Sequence, residues 1–184
     1  LSPTKKGDTG TVNLNNRLQA LINPSAKTKK EMLVHGITLR EGDKVMQIKN
    51  NYNIVWEKDG EEGTGIFNGD VGVLQKIDTD ADRLEVVFDD RLALYTSDQA
   101  VDLELAYAVT VHKSQGSEFA AVVMPVAGVA PQLAYRNLLY TAVTRARQLM
   151  IIVGNEHQIR YMVENDKKSK RYSALRAFLV DGTS

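Results

Sequence analysis

The chain has 184 residues, 43% of them hydrophobic and 25% charged, with 23 basic and 23 acidic side chains and a formal net charge of zero. That composition belongs to a globular protein with room for one domain, or for one domain carrying a small insert, and zero net charge excludes a global field toward nucleic acid or membrane while leaving room for a local basic groove. The absence of cysteine excludes disulfides and thiolate metal sites, and three scattered histidines make no zinc site.

The sequence carries no secretory signal and no apolar run of membrane length, so the expected location is the cytoplasm, with no membrane partner and no bound metal. The first residues, Leu1-Ser-Pro-Thr, lack a Met and suit an excised fragment. Charge is uneven: 78–104 is mostly acidic, whereas 27–30 and 167–171 are basic.

Residues 11–22 predict a helix, with Leu14, Leu18, Leu21 and Ile22 on one apolar face. Thr9 or Thr11 would cap it and Asn23-Pro24 would stop it. A polar basic loop follows at 24–31. From Ile37 the period changes to two. Short strands are expected at 43–49, around Val71, Val73 and Ile77, around Leu84, Val86 and Phe88, and at Leu92 and Leu94. Lys58-Asp-Gly60, Asn68-Gly-Asp70 and Asp89-Asp90 are turn signals between them, and 57–65 reads as an exposed hairpin tip. Several short strands in about 70 residues suggest a small barrel, SH3-like by first choice.

From Leu103 the pattern changes again. A strand is expected at 105–111, a fully buried strand at 120–126, a helix near 134–146 and another buried strand at 149–153. Helices are expected at 156–165 and 173–180. Strand–helix alternation predicts parallel pairing with right-handed crossovers. The expected fold class is therefore α/β, a parallel-sheet domain (1–49 and 105–184) interrupted by a β insert (50–104).

Two strings carry chemistry. After the apolar run to Val111 come His112, Lys113, Ser114, Gln115, Gly116 and Glu118. At the carboxyl end of a parallel strand, where open sheets bind ligands, Lys and Ser suit phosphate oxygens, His and Gln can donate hydrogen bonds, and a carboxylate suits a ribose hydroxyl. The plain alternative is a solvated turn whose polar groups only cap the next segment. The second string is Tyr140-Thr-Ala-Val-Thr-Arg-Ala-Arg147. On a helix Arg145 and Arg147 would not share a face. The plain alternative for Arg145 is a helix-end arginine facing carbonyl dipoles. Tyr52 and Trp56 are candidates for stacking on unpaired bases, or else core aromatics. Lys113-Ser114 and Asp89-Asp90 imitate the ends of nucleotide motifs, but no phosphate loop exists in the chain.

Thr110-Val-His-Lys-Ser-Gln-Gly-Ser-Glu-Phe119 and Tyr140–Arg147 resemble motifs V and VI of RecD/TraA-family superfamily 1 helicases. Ser2–Gln19 is similar to the motif IV entry of that family, and Asp43–Gln47, Asn50–Asn53 and Phe67–Gly72 complete the resemblance across nearly the whole chain. The resemblance implies the second RecA-like, P-loop NTPase-like domain (2A, the UvrD-like C-terminal domain) with an SH3-like β-barrel insert (2B). It implies the C-terminal part of an ATP-dependent 5′-to-3′ DNA helicase, inactive alone because the phosphate loop lies elsewhere. Its partners would be single-stranded DNA, the preceding RecA-like domain of the same protein and helicase–nuclease subunits. ATP and Mg²⁺ would be cofactors of the full protein, with none held tightly by this fragment. Carried over, Arg145 is the arginine finger. Gly116, Glu118, Lys6 and Gln19 face ATP, with Lys5 a further phosphate or inter-domain candidate. Thr110, His112, Lys113, Ser114 and Asn68 face DNA. The alternative function is a non-catalytic DNA-binding or partner-docking module of a helicase–nuclease complex.

Overall fold

The computed structural model describes residues 1–166; the helix expected at 173–180 and the basic run 167–171 lie outside the described residues. Helix α1 spans Thr11–Ile22. The strands are β1 (Glu31–Val34), β2 (Ile37–Arg40), β3 (Lys44–Gln47), β4 (Asn51–Lys58), β5 (Glu61–Ile66), β6 (Val71–Asp78), β7 (Arg83–Phe88), β8 (Arg91–Tyr95), β9 (Leu103–Leu105), β10 (Phe119–Pro125) and β11 (Ala146–Val153). Helices α2 (Arg136–Val143) and α3 (Glu156–Glu164) flank β11.

Among the described residues the strands form three sheets. β1 and β2 form a hairpin closed by His35-Gly36, both at positive φ. Seven strands form one antiparallel sheet in the order β5-β4-β8-β7-β6-β3-β9. β10 and β11 form a parallel pair. The seven-stranded sheet thus takes in Lys44–Gln47 at one end of the expected insert and Leu103–Leu105 at the other.

This sheet curls on itself. Each of its strands sends side chains into one core, including Ile66, Ile54, Tyr95, Val86, Leu74, Val45 and Leu105. The Tyr95 hydroxyl donates to Gln47 Oε1 at 3.0 Å, although β8 and β3 are three strands apart. At roughly 4.8 Å per strand a flat sheet would hold them too far apart to bond. Burial pushes the Tyr95 phenol well above its usual range, so it serves as a neutral donor.

Local parity departs from expectation in two strands. In β6 Gly72, Leu74 and Ile77 are buried and Val73 is exposed, because a register shift between Leu74 and Lys76 moves the inward face by one residue. A side chain at Gly72 would meet the Val87 carbonyl at 2.5 Å, which explains glycine there. In β8 the inward residues are Ala93 and Tyr95, not Leu92 and Leu94. Antiparallel partners share a face, and Ala93 and Tyr95 lie opposite the fully buried Val86 and Leu84. The 57–65 segment is the exposed hairpin tip that its turn signals predict. β4 and β5 run through it and turn at Asp59-Gly60, both at positive φ.

Helix α1 is also rotated from expectation. Its buried residues are Thr11, Asn15 and Gln19, whereas Leu21 and Ile22 are exposed and Leu14 and Leu18 are half-buried. The cause is Asp43, fully buried, whose carboxylate accepts from Gln19 Nε2 (2.6 Å), Asn23 Nδ2 (2.8 Å), the Arg40 amide (2.7 Å) and the Tyr107 hydroxyl (2.8 Å). A buried carboxylate is tolerated only when its oxygens are satisfied, so the helix turns its amides inward. Asn15 meanwhile bonds the Leu105 and Ala108 carbonyls and the Ala108 amide. The cap is Gly10, not a threonine; a side chain there would lie 2.5 Å from the Lys6 carbonyl.

The expected strand at 105–111 ends at Leu105; beyond it only Thr110 makes an isolated parallel bridge, to Ser2. β10 and β11 are not buried on both faces. Val122, Met124, Met150 and Ile152 turn toward α2 and α3, while Val123, Leu149, Ile151 and Val153 stay exposed. Both helices pack on one side. Among the described residues no helix is long and apolar enough to cross a membrane.

Candidate nucleotide and DNA site

The parallel pairing of β10 with β11 brings the two motif strings together. The Phe119 amide donates to the Arg145 carbonyl at 2.8 Å, fixing the end of the 112–118 loop against the turn between α2 and β11. Arg145 stands in that turn, not on the helix, because α2 ends at Val143. Its guanidinium donates to the Ser117 carbonyl at 3.1 Å and lies 3.4 Å from Thr144 Oγ1, while its Nε is buried without a partner. Arg147, in β11, lies 3.7 Å from Glu118 Oε2. Both arginines therefore meet the 112–118 loop, Arg145 at the Ser117 carbonyl and Arg147 at the Glu118 carboxylate.

Gly116 has φ +87 and open space where a side chain would be. Glu118 is largely exposed. Ser114 is buried, and its hydroxyl donates to the Val111 carbonyl at 2.8 Å. That bond stabilises the turn. His112 is exposed, with Nε2 3.3 Å from the Tyr135 hydroxyl. Thr110 Oγ1 accepts from the Lys113 amide at 3.2 Å.

Lys113 and Lys5 converge on one carboxylate, Glu104, at 3.5 and 2.6 Å. Burial by itself would raise the Glu104 carboxyl. The bonds and charges of the two lysines outweigh it and hold the group below its usual range. Lys6 is exposed in the turn ahead of α1. Gln19 lies elsewhere, bonded to Asp43 and to the Thr38 carbonyl. Asn68 occupies the β5–β6 turn, its amide bonded to Asn50 Oδ1 at 2.9 Å, and the neighbouring Gly69 and Asp70 line the same groove as Lys113. Tyr52 is exposed and edge-on to Phe67. Trp56 packs so closely on Gly63 that a side chain there would lie 2.3 Å from the ring, and Arg91 covers it at 5.6 Å. It is a packing residue.

Sequence reasoning missed Glu104, Ser117 and Tyr135. No local pattern marks them: Tyr135 meets His112 23 residues away, Ser117 meets Arg145 28 residues away, and Glu104 meets Lys5 99 residues away as well as the nearer Lys113.

Residues 14–88 match the model of the ATP-dependent RecD-like DNA helicase SH3 domain, and residues 105–153 match the UvrD-like helicase C-terminal domain. The chain belongs to the RecD-like helicase family. It is 37% identical over 155 residues to the ATP-dependent RecD2 DNA helicase of Deinococcus radiodurans, an alignment covering 84% of this chain and 20% of that protein. It is 33% identical to the RecBCD enzyme subunit RecD of Mycolicibacterium smegmatis, over 62% of this chain and 20% of that one. The chain thus spans about a fifth of the length of these relatives. Among solved structures it resembles the Pif1 helicase from Bacteroides in complex with ADP-AlF3 and ssDNA, with TM-score 0.53 and 17% identity over 93% of this chain and 43% of that one. Bacteroides Pif1 bound to ssDNA gives TM-score 0.51 and 16% identity over 91% and 43%. At that identity the likeness concerns the fold.

Proposed function

We propose that this chain is the second motor domain of an ATP-dependent 5′-to-3′ DNA helicase, a RecA-like layer (2A) carrying an SH3-like barrel (2B), and that it supplies one wall of a composite ATP site. The observation that carries this reading is the junction of the two motif loops, where Phe119 bonds the Arg145 backbone and Arg145 bonds Ser117. A guanidinium with an unpartnered buried Nε, an open glycine and an exposed carboxylate on adjoining loops fit a nucleotide. Bound in the full protein, ATP supplies the phosphoryl group whose transfer to water drives the motor, with its Mg²⁺ held by the preceding domain.

In this reading Arg145 is the finger, aimed at charge that develops on the transferring phosphoryl group. Glu118 accepts from a ribose hydroxyl and Gly116 admits close approach. Arg147 positions Glu118. Thr110, His112 and Lys113 face the DNA backbone, with Lys5 beside Lys113, while Lys6 lies toward phosphate and Asn68 borders the DNA path. The partners are single-stranded DNA and the preceding motor domain of the same protein.

An ATPase assay on the purified chain tests the half-site reading. No turnover is expected, because the phosphate loop that holds the nucleotide is not part of this sequence. Magnesium-dependent hydrolysis that disappears in Arg145→Ala would overturn it.

A further inference from the structure

Alternation along β9 decides where Glu104 points. Leu103 and Leu105 are buried in the core of the curled sheet, so Glu104 between them faces away from it. β9 is an edge strand, paired with β3 alone. There Glu104 meets two lysines from outside the sheet. Lys5 Nζ lies 2.6 Å from Oε1 and Lys113 Nζ lies 3.5 Å from Oε2. Among the described residues the other ion pairs each join one carboxylate to one base.

The two lysines are not equivalent. Both backbones are anchored: the Lys5 carbonyl accepts from the Val12 amide at 3.2 Å, and the Lys113 amide donates to Thr110 Oγ1 at 3.2 Å. The Lys5 contact is a short, hydrogen-bonded ion pair, whereas the Lys113 contact is longer than a good hydrogen bond. Lys113 lines the groove shared with Lys44, Gly69, Asp70 and Arg91, and Lys5 stands outside it. An ammonium has three donors, so the Lys113 head keeps donors for a second acceptor beside Glu104.

A phosphate that reaches Lys113 from the groove meets the Glu104 charge at short range, where like charges repel. The two anions compete for one cation. Lys5 keeps that exchange from stranding a bare charge. Glu104 is largely covered, and a covered carboxylate that loses its only partner is strongly destabilised. With Lys5 at 2.6 Å it keeps a partner whether or not Lys113 is present.

We propose that Glu104 is a resident anion that holds Lys113 in the absence of DNA and yields it to a backbone phosphate of single-stranded DNA, with Lys5 keeping the carboxylate paired. Glu104 thereby loosens the grip of this domain on the strand. A motor that steps must release as well as hold, and an internal anion takes the lysine back as the phosphate leaves. The proposal rests on the reading of Lys113 as a DNA-facing residue and adds the group that sets how tightly that residue holds.

Fluorescence anisotropy tests it, with a labelled oligothymidine and the full-length parent protein in the absence of nucleotide. Glu104→Gln keeps the shape of the side chain and removes its charge. It should tighten binding about two- to fivefold at low salt, the range that a partly exposed ion pair commands. Lys113→Ala should weaken binding, and Glu104→Gln should then add little in the Lys113→Ala background, because the lysine it releases is gone. Unchanged or weaker binding in Glu104→Gln, beside weaker binding in Lys113→Ala, overturns the proposal alone and makes Glu104 a group that positions Lys113. A gain of equal size in both backgrounds overturns it too and assigns the effect to the general field of one carboxylate. No weakening in Lys113→Ala removes Lys113 from the DNA path, a failure of the underlying reading that takes the exchange with it.

Discussion

The curled seven-stranded sheet and the β10–β11 layer solve the same burial problem to different degrees. In the curled sheet both edge strands, β5 and β9, reach a single core, and Asp43 is satisfied by four donors. In the layer one face packs on α2 and α3, while Val123, Leu149, Ile151 and Val153 remain exposed. The candidate chemistry sits in the less complete region, at the loops that β10 and β11 bring together. The curled sheet brings all its strands to one core, whereas the two-stranded layer leaves one face exposed. The proposed motor site has the same character, one wall of a cleft whose other wall belongs to another domain.

The largest expected effect bears on that wall. In the full-length parent Arg145→Ala should lower ATP turnover on the order of 10³-fold with little change in ATP affinity, because a finger acts on charge that develops in the transition state. Steady-state kinetics decide this, and near-normal turnover would make Arg145 an ordinary turn residue. Arg147→Ala should be far milder. It removes an exposed 3.7 Å contact to Glu118, of a kind that contributes about 0–1 kcal/mol.

Next in size is the clamp that joins α1 to the curled sheet. Asp43→Ala should cost about 3–5 kcal/mol of unfolding free energy by leaving several buried donors unpaired, measurable by urea titration. A loss below about 1 kcal/mol would mean that α1 is held by its half-buried leucines instead. The Tyr107 phenol, pushed up to about 12 first by burial and then by its bond to Asp43, stays a neutral donor throughout the physiological range.

Denaturation of the isolated chain sharpens the comparison directly. Trp56, the single tryptophan, lies in β4 and reports on the curled sheet alone. Its fluorescence transition should fall at higher urea than the loss of amide protection in β10 and β11. Coincident transitions would show one cooperative unit in place of two unequal regions.

The smallest effect concerns Glu104. Its folded carboxyl is held below the usual range, so its contribution is present above the unfolded value and is lost as pH falls through the folded one. With lysine partners that are partly exposed, the acid-side loss should stay within about 1 kcal/mol, and it should vanish in Glu104→Gln. An unchanged acid limb in that variant would remove Glu104 from the balance.

Local pattern determined much of this protein. Helix α1 was legible from its period and from Asn23-Pro24, and β7 from the alternation of Leu84, Val86 and Phe88. The turns at Asp59-Gly60, Asn68-Gly69 and Asp89-Asp90 were legible because positive φ and tight reversal demand those residue types. The two motif strings both lie within residues 105–153, the segment that matches the UvrD-like helicase C-terminal domain. Tertiary structure alone decided which faces turn inward. α1 rotates because a buried carboxylate must be satisfied; β6 changes parity at a register shift; and β8 follows the parity of its partner β7. It also decided that Gln19 and Ser114 are internal bonds, that Glu104 gathers Lys5 and Lys113, and that Arg145 and Arg147 share one loop. Periodicity reports a residue's neighbours on one element, whereas these outcomes depend on partners brought in from other elements and loops, as far away as Lys5 is from Glu104, and set by burial, charge and strand register acting together.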